Sequence, residues 1–204
     1  MKQWLLMMLI SITLLGCSSE PQPKVDFYLL PQHLTSSPVT PTTSFTALAS
    51  TLLIVQPVEL APYLDTAGII YRQSATQVTQ AKYHQWAQRL SPQLTERIIE
   101  QLRRDQPVSY WPEAFNAHYA QQKHHTLQVK FQRFNGAYTG NAELAGSWEL
   151  FSPQGVRLLR QDFSFDVPLT DEGYPALVEA LSLGLEQLTT QIKQTLLQQS
   201  LPNN

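Results

Sequence analysis

The sequence predicts an α/β fold of the α+β type, with a mixed, largely antiparallel sheet and two main helices packed on one of its faces. Strand-like apolar runs lie on both sides of one helical segment, and a second, longer helical segment closes the chain. This order allows each helix to bury its apolar face on the sheet. The chain has 204 residues, 43% of them hydrophobic, which is enough for one packed domain, assigned to residues 25–200.

The first strands are predicted from two apolar runs separated by a loop. Residues 25–30 form a short strand, and residues 31–50 are rich in Pro, Ser and Thr, as is typical of a loop. Residues 51–58 are almost continuously apolar, which indicates a strand buried on both faces. Pro57 marks the end of that strand because proline cannot donate to a sheet ladder.

A hairpin and the first helix follow. Strands over 68–73 and 76–84 are separated by a short gap, which favours a hairpin. A helix then opens with Ser91 as N-cap and Pro92 in its first turn, and Pro107 ends it. Its apolar face recurs at four-residue spacing and consists of Leu94, Ile98 and Leu102.

The second half of the sheet is predicted to be an antiparallel meander. A short strand over 108–111 precedes a clearly alternating strand over 126–134. Strands over 143–151 and 156–167 follow, joined by a Ser-Pro-Gln-Gly turn over 152–155. The inward face of the alternating strand is expected to carry Leu127, Val129 and Phe131, with Arg133 as the next position.

The chain closes with a long amphipathic helix over 174–198, capped by Thr170 or Asp171. The polar face is mostly Gln and Thr, with Lys193 as its basic residue, whereas helices that lie on membranes are usually rich in Lys and Arg. Packing on the sheet is therefore the favoured role. The apolar stripe comprises Leu177, Leu181, Leu185 or Gly184, Leu188, Ile192 and Leu196.

Residues 1–16 are interpreted as a signal peptide. Lys2 supplies the positive start, residues 4–15 are mainly apolar, and Gly16 is a small residue before the cleavage point. The apolar stretch is shorter than the ~20 residues that a membrane-spanning helix needs. We therefore expect the signal to be removed, which leaves residues 17–24 as a tether.

The sequence Leu14-Leu15-Gly16-Cys17 resembles the lipobox of bacterial lipoproteins. That resemblance implies cleavage after Gly16, a diacylglycerol on the Cys17 thiol and an N-acyl chain such as palmitate on the new amine. The alternative is an ordinary signal peptide with a cysteine there by chance. The lipobox is favoured because Cys17 is the chain's only cysteine, which also excludes an internal disulfide.

Composition argues against nucleic-acid binding, and the absence of known motifs argues against catalysis. The net charge is −2 and only 15% of residues are charged, so there is no basic surface of the kind that nucleic acid requires. The spacing of His118, His124 and His125 matches no zinc pattern and has no cysteine partner. No nucleophile elbow or glycine-rich phosphate loop occurs. The sequence thus predicts no enzyme, no metal site and no cofactor other than the covalent lipid.

Several motifs recur in order and spacing as in one known family. The first strand reads Phe27-Tyr28-Leu29-Leu30, and residues 174–180 open the final helix. Between them lie Pro62-Tyr63-Leu64-Asp65, Ile69-Ile70-Tyr71-Arg72 and Tyr83-His84-Gln85-Trp86-Ala87. With these motifs the chain resembles the PqiC/YmbA family, the auxiliary lipoproteins of ABC-type and paraquat-inducible transport systems, over most of residues 17–204.

The resemblance implies a lipoprotein on the periplasmic face of the outer membrane. Ser18 follows the cysteine where an Asp would favour inner-membrane retention. The implied partners are an MCE-domain periplasmic protein, whose tube the lipoprotein would dock or receive, and its inner-membrane partner. The implied role is lipid transport between the membranes in support of membrane integrity, in a possible homo-oligomer. The alternative is a structural envelope lipoprotein with no direct part in lipid transfer.

Within the family motifs, Tyr63, Leu64, Asp65 and Trp86 are candidate partner contacts. The competing interpretation makes Pro62 and Asp65 a turn, in which the Asp65 carboxylate bonds its own backbone and Tyr63 packs on the core. The turn is favoured for Asp65, whereas Tyr63 fits either interpretation. Tryptophan is enriched at binding hot spots, but a tryptophan between a strand and a helix is more often core, which is the favoured interpretation of Trp86.

Overall fold

The computed structural model describes residues 24–31, 51–104 and 110–200. These residues form a nine-stranded sheet and two α-helices. The signal peptide and the lipobox lie outside the described residues, as does nearly all of the predicted loop over 31–50. In chain order the elements are β1 Asp26–Tyr28, β2 Thr51–Val55, β3 Glu59–Leu60, β4 Gly68–Arg72, β5 Val78–Trp86, α1 Leu90–Arg103, β6 Tyr110–Ala114, β7 His125–Ala137, β8 Asn141–Phe151, β9 Arg157–Pro168 and α2 Tyr174–Ser200.

Strand β7 organises the sheet. One of its edges pairs in parallel with β2, then β3, then β4, while the other edge pairs antiparallel with β8. Strand β6 lies beyond β2, strands β5 and β1 lie beyond β4, and β9 lies beyond β8. The β7–β8 and β8–β9 ladders are antiparallel and are the longest pairings. The predicted mixed sheet, two main helices and meander are therefore confirmed.

The apolar run over 51–58 is two strands rather than one. Strand β2 ends at Val55, and β3 begins at Glu59. Pro57 lies in the break, because its missing N–H group and fixed φ interrupt a ladder. Leu53, Ile54 and Val55 are fully enclosed, which confirms burial on both faces for this part of the run.

The β4–β5 hairpin is confirmed, but β5 is displaced along the chain from its predicted range of 76–84. It begins at Val78 and continues to Trp86, where it also pairs with β1. Strand β6 likewise runs from Tyr110 to Ala114, later than the predicted 108–111, of which the first two residues lie outside the described range. The later end of β5 follows from its pairing with β1, and the span of β6 from its pairing with β2, both of which are distant in sequence.

Ser91 does not cap α1, in contrast to the prediction. The helix begins at Leu90, and its preceding residue makes no side-chain cap. The Ser91 hydroxyl instead donates to the Val58 carbonyl oxygen at 2.6 Å, and the Thr95 hydroxyl accepts from the Val58 N–H at 2.9 Å. The start of α1 is thereby fastened to the chain that enters β3. The helix ends at Arg103, before the predicted stop at Pro107, which lies outside the described residues.

Strand β7 alternates as predicted only as far as Phe131. Leu127, Val129 and Phe131 are buried, and the intervening residues are exposed. The β7–β8 register then shifts between Phe131 and Arg133. A bulge of this kind reverses which side chains face inward, so Phe134 enters the core in place of Arg133.

The final helix buries its whole predicted stripe against β8, β9 and α1. The helix begins at Tyr174, immediately after Gly173, so neither Thr170 nor Asp171 caps it. Gly184 and Leu185 are both buried, and a Cβ atom on Gly184 would lie 2.3 Å from a methyl carbon of Leu144. No helix of the described residues is long and apolar enough to cross a membrane. The buried stripe is Leu177, Leu181, Leu185, Leu188, Ile192 and Leu196.

Candidate interaction site

The segment after β3 forms a 3₁₀ turn over Pro62–Leu64 that covers the outer face of β7. The Tyr63 hydroxyl donates to the Gln132 carbonyl oxygen at 2.7 Å. Burial raises the pKa of that hydroxyl, so it remains a donor throughout the physiological range. Leu64 is only 1% exposed. Of these two predicted contacts, Leu64 is a core residue and Tyr63 is tied to the sheet.

Asp65 lies at the exposed end of this turn. Its backbone N–H donates to the Pro62 carbonyl oxygen at 3.3 Å, which confirms the turn. Its carboxylate, however, accepts from Arg89 at 2.9 Å rather than from its own backbone, contrary to the prediction. Both side chains are open to solvent, with exposed fractions of 46% for Asp65 and 77% for Arg89. Asp65 is therefore an accessible residue among the predicted contacts, and Arg89 is its partner.

A cleft of about 330 Å³ lies beneath the Asp65–Arg89 pair. Apolar and charged side chains share its lining, because β3 and the start of α1 meet the Asp65–Arg89 pair there. This combination suits a small apolar side chain from a partner, flanked by a polar group that bonds to the charged pair. The lining residues are Val58, Leu60, Asp65, Arg89, Ser91 and Pro92.

Trp86 lies at the end of β5 and is 6% exposed. Its ring is tilted against Phe134, with 6.3 Å between the ring centroids. The interpretation of Trp86 as a core residue is consistent with this position. Trp86 therefore lies beneath the surface and not on it.

A buried polar network, which the sequence did not reveal, connects Tyr63 to the far end of β4. The Tyr63 hydroxyl lies 3.5 Å from Asn135 Oδ1, and Asn135 Nδ2 donates to Glu143 at 3.4 Å. Glu143 forms a two-point ion pair with Arg72, whose guanidinium also lies 5.4 Å from the Tyr138 ring centroid. Hydrogen bonding to Glu143 raises the pKa of Arg72, so the guanidinium stays charged. The one sign of this network in the sequence was an acidic residue, Glu143, between apolar residues of a predicted strand.

A cleft of about 580 Å³ lies where α2 begins. Tyr174 forms one wall and stacks on His84, with 4.0 Å between the ring centroids. His84 Nδ1 is in turn hydrogen-bonded to the Tyr28 hydroxyl at 3.0 Å. Strand β1 is thus linked to the start of α2 through an aromatic cluster. The cleft is lined by Tyr71, Gly140, Leu169, Thr170, Asp171, Glu172, Gly173, Tyr174 and Leu177.

The three histidines considered as metal ligands bond to different partners. His118 Nε2 is hydrogen-bonded to Gln122, whereas His124 Nε2 bonds the Tyr119 carbonyl oxygen. His125 begins β7 and lies edge-on to Tyr110. Within residues 24–31, 51–104 and 110–200, no three His, Cys, Asp or Glu side chains are arranged to hold a metal ion.

A model of the ABC-type transport auxiliary lipoprotein components matches residues 28–193. This match spans β1 to α2 and covers most of the chain. The chain belongs to this family. Membership makes it an auxiliary lipoprotein component of a transport system, located at a membrane of the cell envelope. The auxiliary lipoproteins are a transport family and not an enzyme family.

Two curated relatives within the auxiliary lipoprotein family carry the name intermembrane transport lipoprotein PqiC, one from Escherichia coli and one from Shigella flexneri. Each is 30% identical over 182 residues, which cover 89% of this chain and 90% of the relative. The resemblance inferred from the motifs is confirmed.

Two solved structures share the fold. One, a crystal structure of an uncharacterised protein, has a TM-score of 0.68 at 24% identity and covers 84% of this chain and 98% of its own. The other, a protein from Xanthomonas campestris, has a TM-score of 0.61 at 18% identity and covers 72% and 84%. At these identities the similarity shows the fold of this chain alone.

Proposed function

We propose that this chain is the outer-membrane lipoprotein of an MCE-type intermembrane lipid transport system. It would dock or receive the periplasmic tube of an MCE-domain protein, support membrane integrity, and act by binding rather than by catalysis. The observation that carries the proposal is the 30% identity to the intermembrane transport lipoprotein PqiC over 89% of the chain. The family match over residues 28–193 runs from the end of β1 into α2.

The anchor in this proposal is Cys17, acylated after the signal peptide is cleaved behind Gly16. The lipoprotein family supports an anchor of this kind, and the chain has no second cysteine that could carry it. Acyl chains on both the thiol and the amine would hold the protein stably, since one chain alone gives marginal binding. The anchor would lie nine residues before the start of β1 at Asp26.

The docking surface in this proposal is the cleft below Asp65 and Arg89. Both charged side chains are accessible, and the buried residues Leu64 and Trp86 fix the backbone around them. A surface held by a rigid core loses little conformational entropy on binding. Changes to this exposed ion pair should therefore alter partner binding more than folding, because such pairs contribute only about 0–1 kcal/mol to stability.

The docking surface can be tested by photo-crosslinking in intact cells. A photoreactive amino acid is placed at Asp65, and a matched control is placed at Asp162, an exposed acidic residue of β9. We expect an adduct with an MCE-domain protein from position 65 and none from position 162. Equal adducts from both positions, or none with an MCE-domain protein, would contradict docking at this surface and favour a purely structural envelope lipoprotein.

The anchor requires its own measurement. Mass spectrometry of the mature chain should show cleavage before Cys17 and the mass of a diacylglycerol with an N-linked acyl chain. The Cys17→Ala variant, exported by a different signal peptide, should appear folded in the soluble periplasmic fraction while the wild type sediments with the outer membrane. An unmodified Cys17 in the membrane-bound wild type would refute this anchor.

A further inference from the structure

Two large apolar side chains are exposed to solvent, one in β1 and one directly after it. Phe27 is 65% exposed and Leu29 is 56% exposed. Successive residues of a strand point to opposite faces, and the alternate residues Tyr28 and Leu30 face the domain. Tyr28 bonds His84, and Leu30 is buried. The outward side of β1 is therefore apolar although the inward side already completes the core.

We infer that Phe27 and Leu29 insert into the interfacial region of the same membrane that holds the chain's acyl anchor. This inference rests on the proposed anchor at Cys17 and adds a second point of attachment. Together the two points would fix which side of the domain faces the lipid.

The length of chain before β1 identifies the membrane as the occupant. Phe27 lies ten residues after Cys17, so even a fully extended chain places it within about 35 Å of the anchor. Strand β9 lies five strands away from β1, in the order β1, β5, β4, β7, β8 and β9. That separation is about 24 Å across the sheet. The tether would thus keep β1 closer to the membrane than β9. The membrane is therefore the large apolar phase that β1 contacts most often.

The local charges explain why an apolar contact is needed to fix the orientation. Lys24 is almost fully exposed, but its ammonium group lies 3.7 Å from the Asp26 carboxylate, which also lies 3.9 Å from His84 Nδ1. This near-balance gives little net attraction to anionic lipid. Burial of one Phe and one Leu side chain, in contrast, favours the inserted orientation by at least about ten-fold.

The strand is also suited to the interfacial depth rather than to the hydrocarbon core. Within the described residues β1 pairs only with β5, so the backbone groups of its second edge need hydrogen-bond partners. Water and lipid headgroups supply such partners at the interface, whereas hydrocarbon supplies none. Insertion is thus limited to the two side chains.

Tryptophan fluorescence on tethered protein tests the inference. The chain from Cys17 to Asn204 is coupled through its single thiol to a maleimide lipid in phosphatidylethanolamine and phosphatidylglycerol vesicles that contain doxyl-labelled lipid. Phe27→Trp is compared with Val156→Trp, whose parent residue is 61% exposed beside β9. The wild-type chain, with Trp86, Trp111 and Trp148, supplies the baseline for both.

We expect the added tryptophan at position 27 to be quenched at least two-fold more strongly than that at position 156, and Leu29→Trp to behave like Phe27→Trp. Equal quenching at 27 and 156, or none at 27 and 29, would overturn the inference and leave the face free for a protein partner or a second copy. The chemical tether makes the result independent of natural acylation, which the mass measurement tests separately. A failed anchor and a failed membrane contact are therefore distinguishable.

Discussion

Glu143 is buried on the face of β8 opposite to Leu144, the neighbour that packs against α2. Its side chain is 6% exposed and is satisfied by Arg72, with Asn135 as a further donor. Taking a carboxylate out of water is tolerated only when it is paired and hydrogen-bonded. The residue therefore depends on a partner 71 positions earlier in the chain.

The Glu143→Gln substitution should strongly destabilise the fold. It leaves the Arg72 guanidinium without its counter-charge, and breaking a buried pair in this way costs about 3–5 kcal/mol. Because 20% of the Arg72 side chain remains exposed, we expect the lower end, about 3 kcal/mol in urea unfolding. The matched control is Glu59→Gln, which removes an exposed pair with Lys130 and should cost at most about 1 kcal/mol. Similar losses for both variants would show that the Arg72–Glu143 pair contributes no more to the free energy of unfolding than an exposed ion pair.

His125 should make stability depend on pH. Burial, followed by the neighbouring His124, lowers the pKa of His125, and its Nδ1 has no hydrogen-bond partner. Below the ordinary pKa of about 6.5, the unfolded chain binds a proton that the folded chain does not, so the free energy of unfolding falls as pH falls through that value.

The pH dependence can be measured as a difference between variants. The free energy of unfolding of the wild type, followed from pH 7.5 down to 5.5, should fall more steeply than that of His125→Gln, which lacks this proton uptake. His118→Gln, at an exposed histidine, should follow the wild type. Parallel curves for the wild type and His125→Gln would exclude this residue as a source of the pH dependence.

At the scale of elements, the contact between α2 and β8 depends on the absence of a side chain at Gly184. A Cβ atom there would lie within 3.1 Å of three atoms of Leu144, which is fully buried. Gly184→Ala gains about 1 kcal/mol of helix propensity, but overpacking typically costs about 1–3 kcal/mol. We expect a net loss of stability of about 1 kcal/mol, measured by denaturant unfolding.

A double-mutant cycle identifies the cause of that loss. Leu144→Ala alone should be destabilising because it leaves a cavity. Adding Gly184→Ala to it should then be neutral or stabilising, since the new methyl group enters the vacated space. If the Gly184→Ala effect is the same in both backgrounds, the clash with Leu144 is not its cause.

The elements whose signals are periodic along the chain were predictable from the sequence. The meander and α2 follow from alternation and from a four-residue stripe, and both bury their expected faces. The parallel pairing of β2, β3 and β4 along one edge of β7 was not predictable, because it brings together segments with no local turn between them. The bulge after Phe131 was also missed, since nothing in the local pattern marks one extra residue.

The candidate site was predictable only in part, for the same reason. The family motif located Tyr63, Leu64 and Asp65, but their exposure depends on which side of the turn faces β7. The partner of Asp65 is Arg89, which follows β5 and has no periodic relation to the turn. Long-range pairs of this kind have no signal in a single sequence, so neither the Asp65–Arg89 cleft nor the Arg72–Glu143 pair could be inferred.

At the scale of the whole molecule, β1 and the residues that follow it attach the N-terminal end of the described chain to the rest of the domain. The Ala87 N–H donates to the Tyr28 carbonyl oxygen at 2.8 Å, and the Leu30 N–H donates to Gln93 Oε1 at 3.1 Å. The Ser182 hydroxyl of α2 lies 3.5 Å from the Pro31 carbonyl oxygen. A force applied to the chain before β1 would therefore be transmitted to β5, α1 and α2 together.

Two truncations locate this boundary. A chain that begins at Lys24 should match the stability of a chain that begins at Cys17 to within about 0.5 kcal/mol, because it keeps every contact that residues 24–31 make with the rest of the described domain. A chain that begins at Gln32 lacks Leu30, which is 2% exposed, and should lose at least about 3 kcal/mol of unfolding free energy. Urea unfolding of the three chains makes the comparison. If the chain from Gln32 is as stable as the other two, β1 adds nothing to the stability of the domain and would belong to the proposed tether.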